Sequence, residues 1–174
     1  VATGAPPGET PPPDTPPLRT PAGAFQWVGL VAVAVVTIVA DQVTKWVARA
    51  TLLGSEPVDV LPFFSLTYAR NTGIAFGQFQ DRQAIVIVLS FVAIGWMVYY
   101  FARAGGRHPL LPAAIGLLMG GAASNLFDRL RQGYVTDFLA LPNFPIFNLA
   151  DTAITMGVIL LLISLVRGER SAPS

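Results

Sequence analysis

Two aspartates stand where carboxylates can do chemistry. Asp151, at the end of FNLAD, opens the run TAITMGVILLLISLV, which meets no charge until Arg167. Asp137, in GYVTDF, lies 14 residues earlier, on the other side of a loop that returns through Pro142 and Pro145. Neither has a basic partner close by in sequence. Two carboxylates delivered to one partly dry site do not both ionise readily, so they share a proton as a coupled pair. One can then activate a water while the other protonates a carbonyl oxygen or a leaving amine.

Composition leaves few other routes. Among 174 residues there is no cysteine, and the one histidine is His108, between Arg107 and Pro109. Thiolate sites, a cysteine nucleophile, a histidine-rich metal site and a Ser-His-Asp triad are thereby set aside. No cofactor and no metal are expected. A formal net charge of +1 gives no reason to expect nucleic acid.

Two further clusters carry polar groups. In DQVTK, Asp41 and Lys45 are four residues apart and share a helix face, and Lys45 is the only lysine. A buried ion pair that orients two helices accounts for them. In NLFDR, Asn125, Asp128 and Arg129 share another face, where a hydrogen-bond knot at a helix end explains them as well as ligand binding does. A Ser–Lys peptidase using Lys45 with Ser55 or Ser124 is a rival, weakened because Lys45 pairs with Asp41 and makes a poor neutral base.

The elements that must position these groups are membrane-like. The chain is 53% hydrophobic and 12% charged, with mean hydropathy +0.58, whereas soluble domains carry about a quarter charged residues. Four runs, at Phe25–Ala40 (continuing through DQVTKWVARA), Ile85–Ala102, Leu110–Leu126 and Thr152–Val166, approach the roughly 20 residues that cross a bilayer core. They must be helices, because lipid satisfies no free backbone group. At 1.5 Å per residue, Asp41, Asn125 and Asp151 each lie about 24 Å from the far end of their helix. Three helices therefore carry polar side chains to one level near one membrane face, where intramembrane ionisable groups are by default functional.

An even number of crossings puts both termini on one side. Flanking cations divide five against six between the two sides, so the positive-inside rule does not orient the chain. Ala48-Arg49-Ala50 imitates a cleavage site, but Asp41 and Lys45 interrupt the approach to it, and the first run is read as an uncleaved anchor.

Residues 1–24 include eight prolines and predict an extended, disordered tail; residues 168–174 form a short tail at the other end. Between the first two runs, Phe64, Leu66 and Tyr68 alternate with Ser65, Thr67 and Ala69, a half-buried strand pattern. Asn71-Thr72-Gly73 then reads as a turn before the short apolar run Ile74–Phe76. Together, residues 55–80 predict a small sheet on the membrane surface. The fold class is a membrane all-α protein, four transmembrane helices over residues 25–167, with a small β element on one face.

DQVTK, RNTGIAFG, GGAASNLFDR, GYVTDF and FNLAD, in this order over four spans, resemble signal peptidase II, the lipoprotein signal peptidase of bacteria. The resemblance covers roughly residues 25–167. It implies an aspartic endopeptidase of the bacterial cytoplasmic (inner) membrane, acting as a monomer among membrane lipids. The implied substrate is a prolipoprotein whose lipobox cysteine carries diacylglycerol, cut just before that cysteine. The catalytic pair falls by motif on Asp137 and Asp151. Support residues fall on Asp41, Lys45, Asn71, Gly73, Gly121, Asn125, Asp128, Arg129, Asn148 and Ala150, with Arg129 and Asn71 near substrate backbone or head-group oxygens. The surface sheet corresponds to a cradle on the outer face, with both termini cytoplasmic. Ser124 and Thr136 depart from the pattern, standing where glycine and valine are expected, and the connection from Asp137 to Asp151 is short. A proton-coupled transporter would instead favour broken helices and midplane sites, and a scaffold would need neither Asp137 nor Asp151.

Overall fold

The structure, a computed structural model, describes residues 20–73 and 83–170, with side chains described as far as residue 167. In chain order the elements are α1 (Ala24–Leu52), β1 (Val58–Leu61), β2 (Phe64–Asn71), α2 (Gln83–Ala104), α3 (Leu111–Gln132), β3 (Val135–Ala140) and α4 (Leu149–Arg170). Each expected apolar run is a helix, and each helix continues beyond it. The 29 residues of α1 extend about 44 Å, which exceeds a hydrocarbon core of roughly 30 Å and carries the Asp41–Arg49 stretch beyond the apolar run.

Among the described residues three helices, α1, α2 and α4, are long and apolar enough to cross a membrane. Their outward faces expose Val35, Val36 and Val39, Phe91, Val92 and Trp96, and Ile159, Leu162 and Val166, while Asp41, Lys45 and Asp128 are buried. That distribution reverses the usual order of a water-soluble protein. The remaining helix, α3, is diluted by glycines and by Asn125, Asp128 and Arg129; it packs against all three others. Its glycines permit the approach. A Cβ added at Gly116 or Gly120 would come within 2.9 Å of the Leu30 carbonyl oxygen or 2.8 Å of that of Ala34, both in α1. One added at Gly121 would meet the Ala150 carbonyl oxygen of α4 at 2.5 Å. Small residues at such crossings let backbones close on each other.

At one end of the bundle, Leu30, Phe101, Leu111 and Ile115 form an apolar core, and Trp27 stands edge-on to Phe101. The opposite end is capped by an antiparallel sheet in the order β1-β2-β3. The strand and turn expected at residues 64–73 are present, with Gly73 N–H donating to Asn71 Oδ1 at 3.0 Å. Burial along β2 does not alternate: Phe64 through Ala69 are all half-buried. The third strand, β3, lies in the stretch that the sequence presents as a loop. Its residues Val135 to Phe138 are buried without a break, and a strand covered on both faces shows no alternation to find. Leu66 and Tyr68 of β2 join Phe138 and Leu139 of β3 against Ala48 and Leu52, which seats the sheet on the end of α1.

Two boundary expectations change. Gly106 N–H donates to the Thr20 carbonyl at 3.1 Å and Ala22 N–H to that of Ala102 at 3.4 Å, so residues 20–23, though mostly exposed, are tied to the end of α2 and the α2–α3 connection. Helical backbone continues to Arg170, past the expected start of the second tail at 168. The expectations for residues 1–19 and for Ile74–Phe76 fall outside the described residues.

Candidate active site

The route from Asp137 to Asp151 is short because the chain folds back on itself. Gly133 ends α3 with φ of 84°, and its N–H returns to the Arg129 carbonyl; a left-handed residue at this position favours glycine. β3 follows directly and presents Asp137. A turn at Asn143, with φ of 58°, then reverses the chain. Phe147 exchanges backbone hydrogen bonds with Leu139 at 2.8 and 3.0 Å, which delivers Asn148 to the start of α4.

Asn148 joins the two acids. Its Nδ2 donates to Asp137 Oδ1 at 2.7 Å. Its backbone N–H donates to Asp151 Oδ2 at 3.1 Å, and Asp151 N–H donates back to Asn148 Oδ1 at 3.0 Å. This reciprocal cap satisfies donors at the start of α4, so one oxygen of Asp151 has a structural task. The other, Oδ1, accepts from Asn125 Nδ2 at 2.8 Å. Asp137 Oδ2 accepts from Asn71 Nδ2 at 2.8 Å. Among the described residues neither acid forms an ion pair; amides hold both. Burial pushes the Asp137 carboxyl up to about 6, the Asn71 amide opposes this, and the Asp151 charge adds to it.

Both carboxylates line one cavity of about 980 Å³, together with Asn71, Asn125 and Arg129 and an apolar wall that includes Val86, Leu89 and Ile154. Arg129 donates from one terminal nitrogen to the Gly73 carbonyl at 2.7 Å and from the other to the Asn125 carbonyl at 3.4 Å. Its Nε has no hydrogen-bond partner among the described residues.

Behind this layer lies a cationic knot. Lys45 Nζ is 2.7 Å from Asp41 Oδ2 and 3.1 Å from Asp128 Oδ2, and it donates to Asn125 Oδ1 at 2.7 Å. The free oxygen of Asp41 accepts from the Ala150 N–H at 2.7 Å, which fixes the first turn of α4 to α1. Gly121 makes room for that turn. The structure brings Asp41, Lys45, Asn125 and Asp128, each singled out from the sequence, into one network.

The Ser–Lys arrangement has no support in this geometry. Ser124 Oγ donates to Asp41 Oδ2 at 2.7 Å, Lys45 is wholly buried between two carboxylates, and Ser55 is exposed. Sequence reasoning missed Gln42, which donates to Ser124 Oγ at 2.9 Å and Asp128 Oδ1 at 3.1 Å. It also missed Arg49, whose spacing from Asp41 and Lys45 repeats every four residues along one helix face, a signal available from the start.

A protein-family comparison settles the kinship. The family model for Signal peptidase (SPase) II matches residues 33–167. The chain belongs to the signal peptidase II family. It is therefore an enzyme, an aspartic-type peptidase. A lipoprotein signal peptidase of Symbiobacterium thermophilum is 41% identical over 145 residues, covering 80% of this chain and 95% of that one. One from Acinetobacter baumannii is 41% identical over 156 residues, covering 84% and 86%. Among solved structures, a bacterial membrane enzyme determined by the in meso method at 2.3 Å resolution superposes with a TM-score of 0.77 at 29% identity, covering 90% of this chain and 97% of that one. A second, at 1.9 Å resolution, gives 0.72 at 33% identity, covering 78% and 91%. The likeness to these membrane enzymes thus extends over most of the chain.

Proposed function

We propose that this signal peptidase II removes the signal peptide from diacylglyceryl-modified prolipoproteins, cutting just before the lipidated cysteine with a water activated by Asp137 and Asp151. The observation that carries the proposal is two carboxylates, one buried and one half-buried, on one cavity, held only by amides and linked through Asn148. In the one-proton state, the ionised acid takes a proton from water as its oxygen attacks the scissile carbonyl carbon. The protonated acid gives its proton to the carbonyl oxygen. As the tetrahedral species collapses, the acid that took the water proton gives it to the departing amine of the cysteine, and the C–N bond breaks. The other carboxylate takes a proton from one of the two hydroxyls, so a carboxylic acid forms and the pair again holds one proton.

The remaining residues have supporting tasks. Asn71, Asn125 and Asn148 orient the acids, while Arg129 offers its free Nε–H and Asn71 its amide near substrate oxygens. Asp41, Lys45, Asp128, Gly121 and Ala150 fix the helices, and Gly73 anchors Arg129. The apolar wall suits acyl chains, which already lie in lipid and are oriented here rather than extracted from water.

Residues 25–167 act as one peptidase unit. Its four helices all cross the bacterial cytoplasmic membrane, α3 sheltered among the others, with both termini cytoplasmic and the sheet and dyad near the outer face. The enzyme works as a monomer and uses no metal. The test is cleavage of purified precursor, with and without diacylglycerol, in detergent containing a chelator. Release of the signal peptide from the modified precursor alone is expected. Equal cleavage of the unmodified form, or loss of activity on chelation, would overturn the reading.

A further inference from the structure

Asn71 and Asn148 hold the Asp137 side chain from the cavity side, but the backbone of β3 is held from behind. Thr136 is wholly buried. Its Oγ1 accepts from Arg49 Nη1 at 3.0 Å and from Gln132 Nε2 at 3.3 Å, and its N–H donates to Asp128 Oδ2 at 3.3 Å. Gln132 also donates to the Tyr134 carbonyl at 3.2 Å. Two helices, α1 and α3, thereby grip one hydroxyl immediately before Asp137.

The position matters because successive strand residues point to opposite faces. In the register of the sheet, Arg70 opposes Thr136 and Ala69 opposes Asp137. The Thr136 face packs on α1, through Phe138 and Tyr68 against Ala48 and Leu52; the Asp137 face looks into the cavity. A slip of one residue would exchange them. Sheet pairing alone does not prevent it, because the β2–β3 register already shifts between Leu66 and Ala69. Arg49, half-buried, forms no ion pair with a carboxylate among the described residues, and the hydroxyl is the partner its guanidinium has found.

We propose that the Arg49–Thr136–Gln132 clamp is a positioning device for catalysis: it sets the register and twist of β3, and so the place of the Asp137 carboxylate against Asp151. The proposal rests on the aspartic reading above. Thr136 and Arg49 touch no substrate and act through the strand.

The test is steady-state cleavage of diacylglyceryl-modified precursor by Thr136→Val, Thr136→Ser, Arg49→Met and the Thr136→Val/Arg49→Met double variant, with Asp137→Asn alongside. Valine keeps the β-branched shape and removes only the hydroxyl. A displacement of the order of 1 Å at a reacting group lowers rates by about 100-fold. The expected result is a fall of roughly 10- to 100-fold in kcat with KM within about twofold for Thr136→Val and Arg49→Met. The double variant should be no slower than the slower single one, and Thr136→Ser should recover most of the rate. Full kcat in Thr136→Val, a loss confined to KM, or multiplying losses in the double variant would overturn the clamp. If Thr136→Val does not fold, Arg49→Met and Thr136→Ser decide the matter by the same split. An inactive Asp137→Asn beside a fully active Thr136→Val removes the clamp alone, whereas an active Asp137→Asn removes the aspartic reading itself.

Discussion

Four aspartates, three buried and Asp151 half-buried, share the polar end of the bundle, and the two regions that hold them are wired differently. Asp41 and Asp128 face the ammonium of Lys45 at 2.7 and 3.1 Å. Asp137 and Asp151 face the amides of Asn71, Asn125 and Asn148. The ammonium binds both carboxylates at once, and groups tied that way serve as a joint between helices. An amide steadies a carboxylate without demanding the charge, so the same acid can carry a proton for part of a cycle. Burial alone does not separate the two roles, since Asp137 is as buried as Asp128; partner chemistry does.

The contrast is broken most severely by Lys45→Met. That change leaves two buried carboxylates and the Asn125 carbonyl without their shared donor, and loss of one member of a buried ion pair costs about 3–5 kcal/mol. Thermal unfolding in detergent should show a large fall in Tm or no folded protein. A variant as stable as the wild type would mean that the cationic region is not a structural joint.

Proton linkage tests the other region. The Asp137 carboxyl sits at about 6 against an ordinary 3.8. Its folded value lies above its unfolded one, so its contribution to stability is complete below pH of about 4 and is lost as pH rises through about 6. Across that window the change is at most about 3 kcal/mol. Unfolding of wild type and Asp137→Asn compared at pH 4 and pH 8 should show the variant gaining relative stability at the higher pH. The alkaline limb of kcat/KM should have an apparent pKa at or above about 6, where the pair loses its shared proton. A stability difference that does not change with pH would contradict a raised Asp137 carboxyl.

Asn148→Ala sharpens the comparison with a smaller effect on stability. It removes the donor to Asp137 and the acceptor for the Asp151 N–H, a loss of about 1–3 kcal/mol for unsatisfied buried groups. Its effect on kcat should be larger in proportion, about 100-fold, because it frees the two acids from each other. Equal kcat for Asn148→Ala and wild type would show that the bridge only caps α4.

Much of this was legible in the residues, for uneven reasons. The helices show as apolar runs because lipid demands uninterrupted hydrophobicity, and the polar level shows because Asp41, Asn125 and Asp151 interrupt those runs at matching depth. The ion pair of Asp41 and Lys45 follows from helical spacing. β3 was hidden because Val135–Phe138 is covered on both faces, which erases the alternation that revealed β2. Asn148 was visible as a motif residue, but its bridging role depends on a backbone reversal at Asn143 that no periodicity encodes. Gln42 acts on Ser124 and Asp128 across a long sequence separation, so nothing local marks it, and Gln132 acts on Tyr134 and Thr136 just past the end of α3, on the strand that showed no alternation.

The most direct test of the central claim is cleavage of purified diacylglyceryl-modified precursor by wild type, Asp137→Asn and Asp151→Asn, each confirmed folded in detergent and assayed without added metal. Cleavage by the wild type alone, with both variants folded and inactive, is the predicted result. Near-normal cleavage by either variant would contradict the dyad and move attention to Asp128.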